Sequence, residues 1–102
     1  MAKVDMTRMR AAAGAATATL RALANEDRLL LLCQLSQGEY AVGELESLLD
    51  IRQPTLSQQL GVLRNEGLVA TRREGKYIYY AVADADVLVL LKTLYALYCP
   101  KD

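Results

Sequence analysis

The sequence has no histidine, only two cysteines and two prolines, and no net charge from its 12 basic and 12 acidic side chains. Each shortage removes a class of function. Without an imidazole there is no histidine base, and Cys33 and Cys99 lie too far apart to form a Cys-x-x-Cys pair, so a thiol-transfer enzyme has little to work with. Soft-metal sites take three or four sulfur or imidazole ligands, which two thiols alone do not supply. Two cysteines are also no disulfide framework. No apolar run approaches the ~20 residues of a spanning helix, and the first residues lack the apolar core of a signal peptide. The expectation is a cytoplasmic protein with no membrane partner and no cofactor.

What is present fits one domain, residues 1–102, with a single modest core. Met1-Ala2-Lys3 and Lys101-Asp102 read as polar tails. The neutral total hides an uneven distribution. Residues 25–50 carry a charge of −5, whereas residues 51–80 carry +3 from Arg52, Arg64, Arg72, Arg73 and Lys76 against Glu66 and Glu74. Residues 1–24 carry +3 and residues 81–102 carry −1. A local basic segment steers toward phosphate even when the global sum vanishes.

That basic segment opens with Ile51–Leu68, the stretch on which the reading turns. Pro54 predicts a helix start at the first helical position, Leu56, Leu60 and Leu63 form one apolar stripe, and Gly67 closes the helix. Thr55, Ser57, Gln58, Gln59 and Arg64 are left on the other faces. Leucines buried on one side with hydroxyls, amides and an arginine on the other suit base edges in a major groove.

The flanking segments support that reading. Met6–Ala24 is alanine-rich and helical by propensity, with Gly14 as a point where it can bend. Asn25 caps a second helix with Glu26 and Asp27 in its first turn, and its leucines place it centrally in the core. Glu39-Tyr40-Ala41 makes a short extended piece, and Val42–Leu49 a third helix with Leu45, Leu48 and Leu49 inward. Residues 42–66 then form a helix-turn-helix. Two strands follow over residues 69–82, around Glu74-Gly75, in a pattern that fits a type I′ hairpin with Arg72, Arg73 and Lys76 at its tip: a wing. Asp84 caps a last helix with Val87, Leu90, Leu91, Leu94, Leu97 and Tyr98 at helical spacing, stopping at Cys99-Pro100. Its long apolar face, with the helix in residues 1–24, predicts that segments 1–24 and 84–99 pair two copies into an isologous homodimer. The fold class is therefore mainly α with a small β-hairpin, a winged helix-turn-helix.

The order of elements, together with Leu23-Ala24-Asn25-Glu26-Asp27-Arg28, Gln53-Pro54-Thr55-Leu56-Ser57-Gln58-Gln59-Leu60 and Arg73-Glu74-Gly75-Lys76-Tyr77-Ile78-Tyr79-Tyr80, resembles the ArsR family of bacterial winged-helix repressors. The resemblance covers nearly the whole chain. Many members sense metals through a Glu-Leu-Cys-Val-Cys-Asp-Leu motif. The matching stretch Glu39–Leu45 has Ala41 and Gly43 in both cysteine slots, and the histidines of other members' final-helix sites are missing. No metal ligands are expected.

One cysteine in the second helix and one at the end of the last is similar to the family's persulfide- and sulfide-sensing branch. That resemblance implies a polysulfide or disulfide bridge between Cys33 and Cys99 within a subunit, formed by inorganic or low-molecular-weight persulfides as inducer, followed by release of double-stranded operator DNA. On the DNA side, Gln53, Ser57 and Gln58 are the candidates for base edges, with Arg52, Thr55, Arg64, Arg72, Arg73 and Lys76 for phosphate or the minor groove. The alternatives are a repressor answering peroxide or disulfide stress, an uninduced architectural regulator, a metal-responsive protein, a thiol-transfer enzyme, and cysteines that are simply core residues.

Overall fold

A computed structural model of the chain describes residues 5–99. The expected polar tails and the stop at Pro100 lie outside them. The elements run α1 (Met6–Leu23), α2 (Glu26–Leu35), β1 (Tyr40–Ala41), α3 (Val42–Leu49), α4 (Thr55–Asn65), β2 (Val69–Glu74), β3 (Tyr77–Val82) and α5 (Ala85–Tyr98). No helix among the described residues is long and apolar enough to cross a membrane.

Local chemistry sets the boundaries. Asp5 caps α1 by accepting from the Thr7 and Arg8 N–H groups, Asn25 caps α2 by accepting from Arg28 N–H, and Asp84 caps α5 through Asp86 and Val87 N–H. α1 passes through Gly14 without interruption. Ala41 starts α3 with no acceptor on its side chain, so only half of a capping box exists: Glu44 reaches back to accept from Ala41 N–H at 2.9 Å. Gly67, at φ 74°, closes α4 in a Schellman pattern, with Leu68 N–H on Leu63 O and Gly67 N–H on Arg64 O, both at 3.0 Å.

The core lies where α2, α3 and α4 meet the sheet and the first half of α5. Leu31, Leu32, Leu45, Leu56, Leu60, Leu63 and Val87 are fully buried there. Each such leucine contributes roughly 1.5–3 kcal/mol relative to exposure. The apolar stripe expected on α4 is thus the face that fastens it to the domain.

Four details differ from the sequence reading. Pro54 is the cap of α4 rather than its first helical residue, since its carbonyl accepts the Gln58 N–H at 3.1 Å. Leu48 does not turn inward. It is 56% exposed, because Leu45 is the one fully covered side chain of this two-turn helix and Leu48 falls beside the narrow contact line. The wing loop is Gly75-Lys76, one residue later than expected, and Glu74 pairs with Tyr77 across it. Positive φ is confined to Gly75 at 61°, which is the pattern of a type II′ rather than a type I′ turn. Finally, β1 joins the hairpin, Tyr40 opposite Tyr80 and Ala41 opposite Tyr79, giving a three-stranded antiparallel sheet in the order β1-β3-β2.

Candidate nucleic-acid interface and thiol pair

α4 presents Ser57 and Gln58 to solvent and Thr55 half-buried, with Arg64 exposed in its last turn. Gln53 has a structural task besides any contact to a ligand: its Oε1 accepts the Ser57 N–H at 3.0 Å and so caps the helix that Pro54 opens. Arg52 faces Asp50 at 3.9 Å with both side chains almost fully exposed, a pair that contributes little and leaves the guanidinium available. Asp50 holds the turn between α3 and α4 in the left-handed region at φ 54°.

The wing separates the three cations that sequence places together at its tip. Arg72 is not free there. Its Nε donates to Glu39 at 3.0 Å, its Nη1 to Glu74 at 2.6 Å, and its guanidinium lies 4.8 Å from the centre of the Tyr79 ring. The hydrogen bonds from Arg72 to Glu39, and next to Glu74, drive its pKa further upward. Arg72 therefore binds the wing to the residue before β1, with its charge offset by two carboxylates. Lys76 caps the loop with its Nζ 5.4 Å from the Tyr77 ring centre, and Arg73 is exposed with no ion pair among the described residues.

Sequence reasoning passed over three residues that arrange this surface: Arg28, Gln59 and Glu39. Arg28 on α2 donates to Gln59 on α4 at 2.9 Å, and Glu39 anchors Arg72. A lone arginine or glutamate gives no local pattern that names a partner 31 or 33 positions away.

The two thiols are both free. Cys33 is half-buried, packed against the core, and lines an open groove of about 530 Å³ between α2 and α5 with Leu30, Leu88, Leu91, Lys92 and Tyr95. Cys99 ends α5 as its C-cap: its N–H donates to the Tyr95 carbonyl at 3.0 Å, and its side chain is exposed. Burial pushes the Cys33 thiol up, and the negative charge of a Cys99 thiolate pushes it up further. Among the described residues, no group of three or more potential ligands is placed to hold a metal ion.

Residues 25–71, from the cap of α2 into the wing, match the family model described as bacterial regulatory protein, arsR family. The chain is 57% identical over 83 residues to the biofilm growth-associated repressor of Agrobacterium fabrum, covering 81% of this chain and 71% of that protein. It superimposes on the crystal structure of the transcriptional repressor BigR from Xylella fastidiosa with a TM-score of 0.87 at 43% identity, over 96% of this chain and 100% of the other. The homodimeric winged helix-turn-helix DNA-binding domain of Mb0332 from Mycobacterium bovis matches with a TM-score of 0.77 at 35% identity, over 95% and 89%. With a relative this similar over most of its length, and with α3, α4 and the β2–β3 wing in place, the chain is a winged helix-turn-helix protein that belongs to the arsR family of bacterial regulatory proteins.

Proposed function

We propose that the protein is a dimeric, cytoplasmic transcriptional repressor that binds a partly palindromic operator and releases it when reactive sulfur bridges Cys33 to Cys99. Likeness to two repressors and to a homodimeric DNA-binding domain supports the first half. α4 enters the major groove with Ser57 and Gln58 toward base edges. Gln53 holds the helix start and reaches bases only from that capped position. Arg52, Thr55, Arg64, Arg73 and Lys76 take phosphate or the minor groove, while Arg72 fixes the wing that carries Arg73 and Lys76.

The sensing half is carried by one observation: the two free thiols sit on the two helices that wall one groove, Cys33 lining it from α2 and Cys99 exposed at the end of α5. Exposed Cys99 reacts first. Its thiolate attacks the terminal sulfur of a persulfide RSSH, forming Cys99–S–SH and releasing RSH. That persulfide anion attacks the inner sulfur of a second RSSH and expels hydrosulfide, leaving Cys99–S–S–S–R. The Cys33 thiolate then attacks the sulfur next to the Cys99 Sγ and displaces the thiolate of R. Two RSSH molecules are consumed, and two RSH and one hydrogen sulfide are released. The bridge retains one added sulfur, and the sulfane sulfur itself is the oxidant. A bridge of this kind ties the central helix to α5 and shifts the placement of both reading heads.

The test is intact mass and operator affinity on one sample, treated in parallel with a persulfide donor and with peroxide. Added sulfur joining Cys33 and Cys99, with DNA release confined to the persulfide sample, is the expected result. Equal release by both agents replaces the sulfur sensor with a general thiol switch. Unchanged mass and binding leave a repressor whose cysteines are packing residues.

A further inference from the structure

We infer that Arg28 is a positioning residue for DNA reading, a three-way clamp that fixes α4 against α1 and thereby sets the spacing at which two half-sites are recognised. The inference rests on the dimeric DNA-binding reading above. Arg28 sits in the first turn of α2, held there by its own backbone N–H on the Asn25 cap at 3.0 Å. Its guanidinium then makes three bonds in three directions: Nε to Ala22 O at 2.6 Å, Nη2 to Arg21 O at 3.0 Å, and Nη1 to Gln59 Oε1 at 2.9 Å. Ala22 and Arg21 belong to the last turn of α1, where carbonyls lack the usual i+4 partner, the Arg21 carbonyl also accepting the Ala24 N–H at 3.3 Å. Gln59 lies in the same turn of α4 as Ser57 and Gln58.

One rigid plane thus joins the end of the helix expected at the dimer contact to the middle of the helix expected in the groove. The guanidinium holds its five N–H donors in a fixed fork, so the two attachment points cannot drift independently. Lysine has a single swivelling ammonium and cannot serve all three acceptors at these angles. Half-sites one helical turn apart, about 10 bp, demand that two reading helices keep a set distance and phase. A loosened clamp leaves each α4 able to read its half-site but relaxes the relation between the two.

The experiment selects binders from a randomised duplex pool with the full chain as wild type, Arg28→Lys, Gln59→Met and the double variant, and measures helical circular dichroism on the same samples. The expected result is that wild type enriches paired half-sites at one spacing. Each single variant enriches the same half-site sequence, with its preference for that spacing over spacings one base pair away reduced about tenfold. The double variant is no worse than either single one, since both act on one clamp. Wild-type spacing preference in both single variants overturns the inference, as does a loss of binding that merely tracks loss of folded protein. Gln59→Met keeps the test open where the Arg28 variant fails to fold. A wild type that enriches no paired half-sites removes the dimeric reading itself, and the clamp's role with it.

Discussion

α4 and α1 are both amphipathic helices of one small domain, yet they are finished to different degrees. α4 has 11 residues and seats Leu56, Leu60 and Leu63 fully in the core, whereas α1 has 18 residues and buries only Ala22 and Leu23 at its end. α5 behaves like α1: Val87 and Leu91 are covered, but Leu97 is 70% and Tyr98 80% exposed. The radius of gyration, 15.7 Å, exceeds the roughly 13 Å of a compact domain of about 100 residues. The helix-turn-helix and wing are complete within one chain. The α1/α5 side presents apolar surface that a single chain does not use, and in the proposed dimer a second copy covers it.

This difference has sharp consequences. Leu60→Ala removes a fully buried side chain of α4, and should lower unfolding stability by about 2–5 kcal/mol in chemical denaturation, the largest effect expected of any single change here. That loss should not depend on protein concentration. Leu97→Asp should do the reverse: secondary structure stays, but sedimentation equilibrium shows a dimer weakened by about tenfold to a hundredfold, because a charge enters an apolar contact. Equal concentration dependence for both variants would erase the distinction between the two sides.

The wing offers a finer cut. Arg73→Ala should weaken binding to operator and scrambled DNA alike by a few-fold and reduce the magnitude of the salt slope by about one. Arg72→Ala should leave the salt slope nearly unchanged, because Glu39 and Glu74 already offset its charge, and should instead loosen the wing. Gln58→Ala should lower discrimination between operator and scrambled DNA with little change in slope. Matching slopes for the two arginine variants would return Arg72 to the phosphate contacts.

Elements with a local signature are readable in the chain. Asn25 with Glu26 and Asp27, the 56/60/63 stripe and Gly67 each encode a helix end or face by short-range chemistry, and each stands as read. The differences fall where a distant partner decides. Leu48 fits the helical period but has nothing to pack on, and the extended piece read at Glu39-Tyr40-Ala41 stands, while its place in the sheet is set by Tyr80 and Tyr79 opposite it. Arg72 looks like a tip cation until Glu39 is brought beside it. Gly75 is legible as a turn residue, but which of the two loop positions it occupies depends on the register that Val69↔Val82 imposes. Likewise, the positions of Cys33 and Cys99 in sequence say nothing of the groove lined by residues of both α2 and α5.

The smallest expected effect compares the two thiols themselves. Cys33 has its pKa raised first by burial and then by Cys99, so the folded state favours the protonated thiol more than the unfolded chain does, whose value lies near 9.0. The stability this contributes is fully present below pH 9.0 and is lost as pH rises through the higher folded value. The difference in melting temperature between wild type and Cys33→Ala should therefore be flat at neutral pH and shift against the wild type in the alkaline range. Cys99→Ala removes the second push while leaving burial, so its alkaline slope should be shallower than that of wild type but not abolished. If Cys99→Ala leaves the slope unaltered, the two sulfurs are not in electrostatic contact, and the case for a bridge between them is weakened. If the slope relaxes as expected, the two groups lie near enough that reaction at exposed Cys99 alters the environment of Cys33 before any bond joins them.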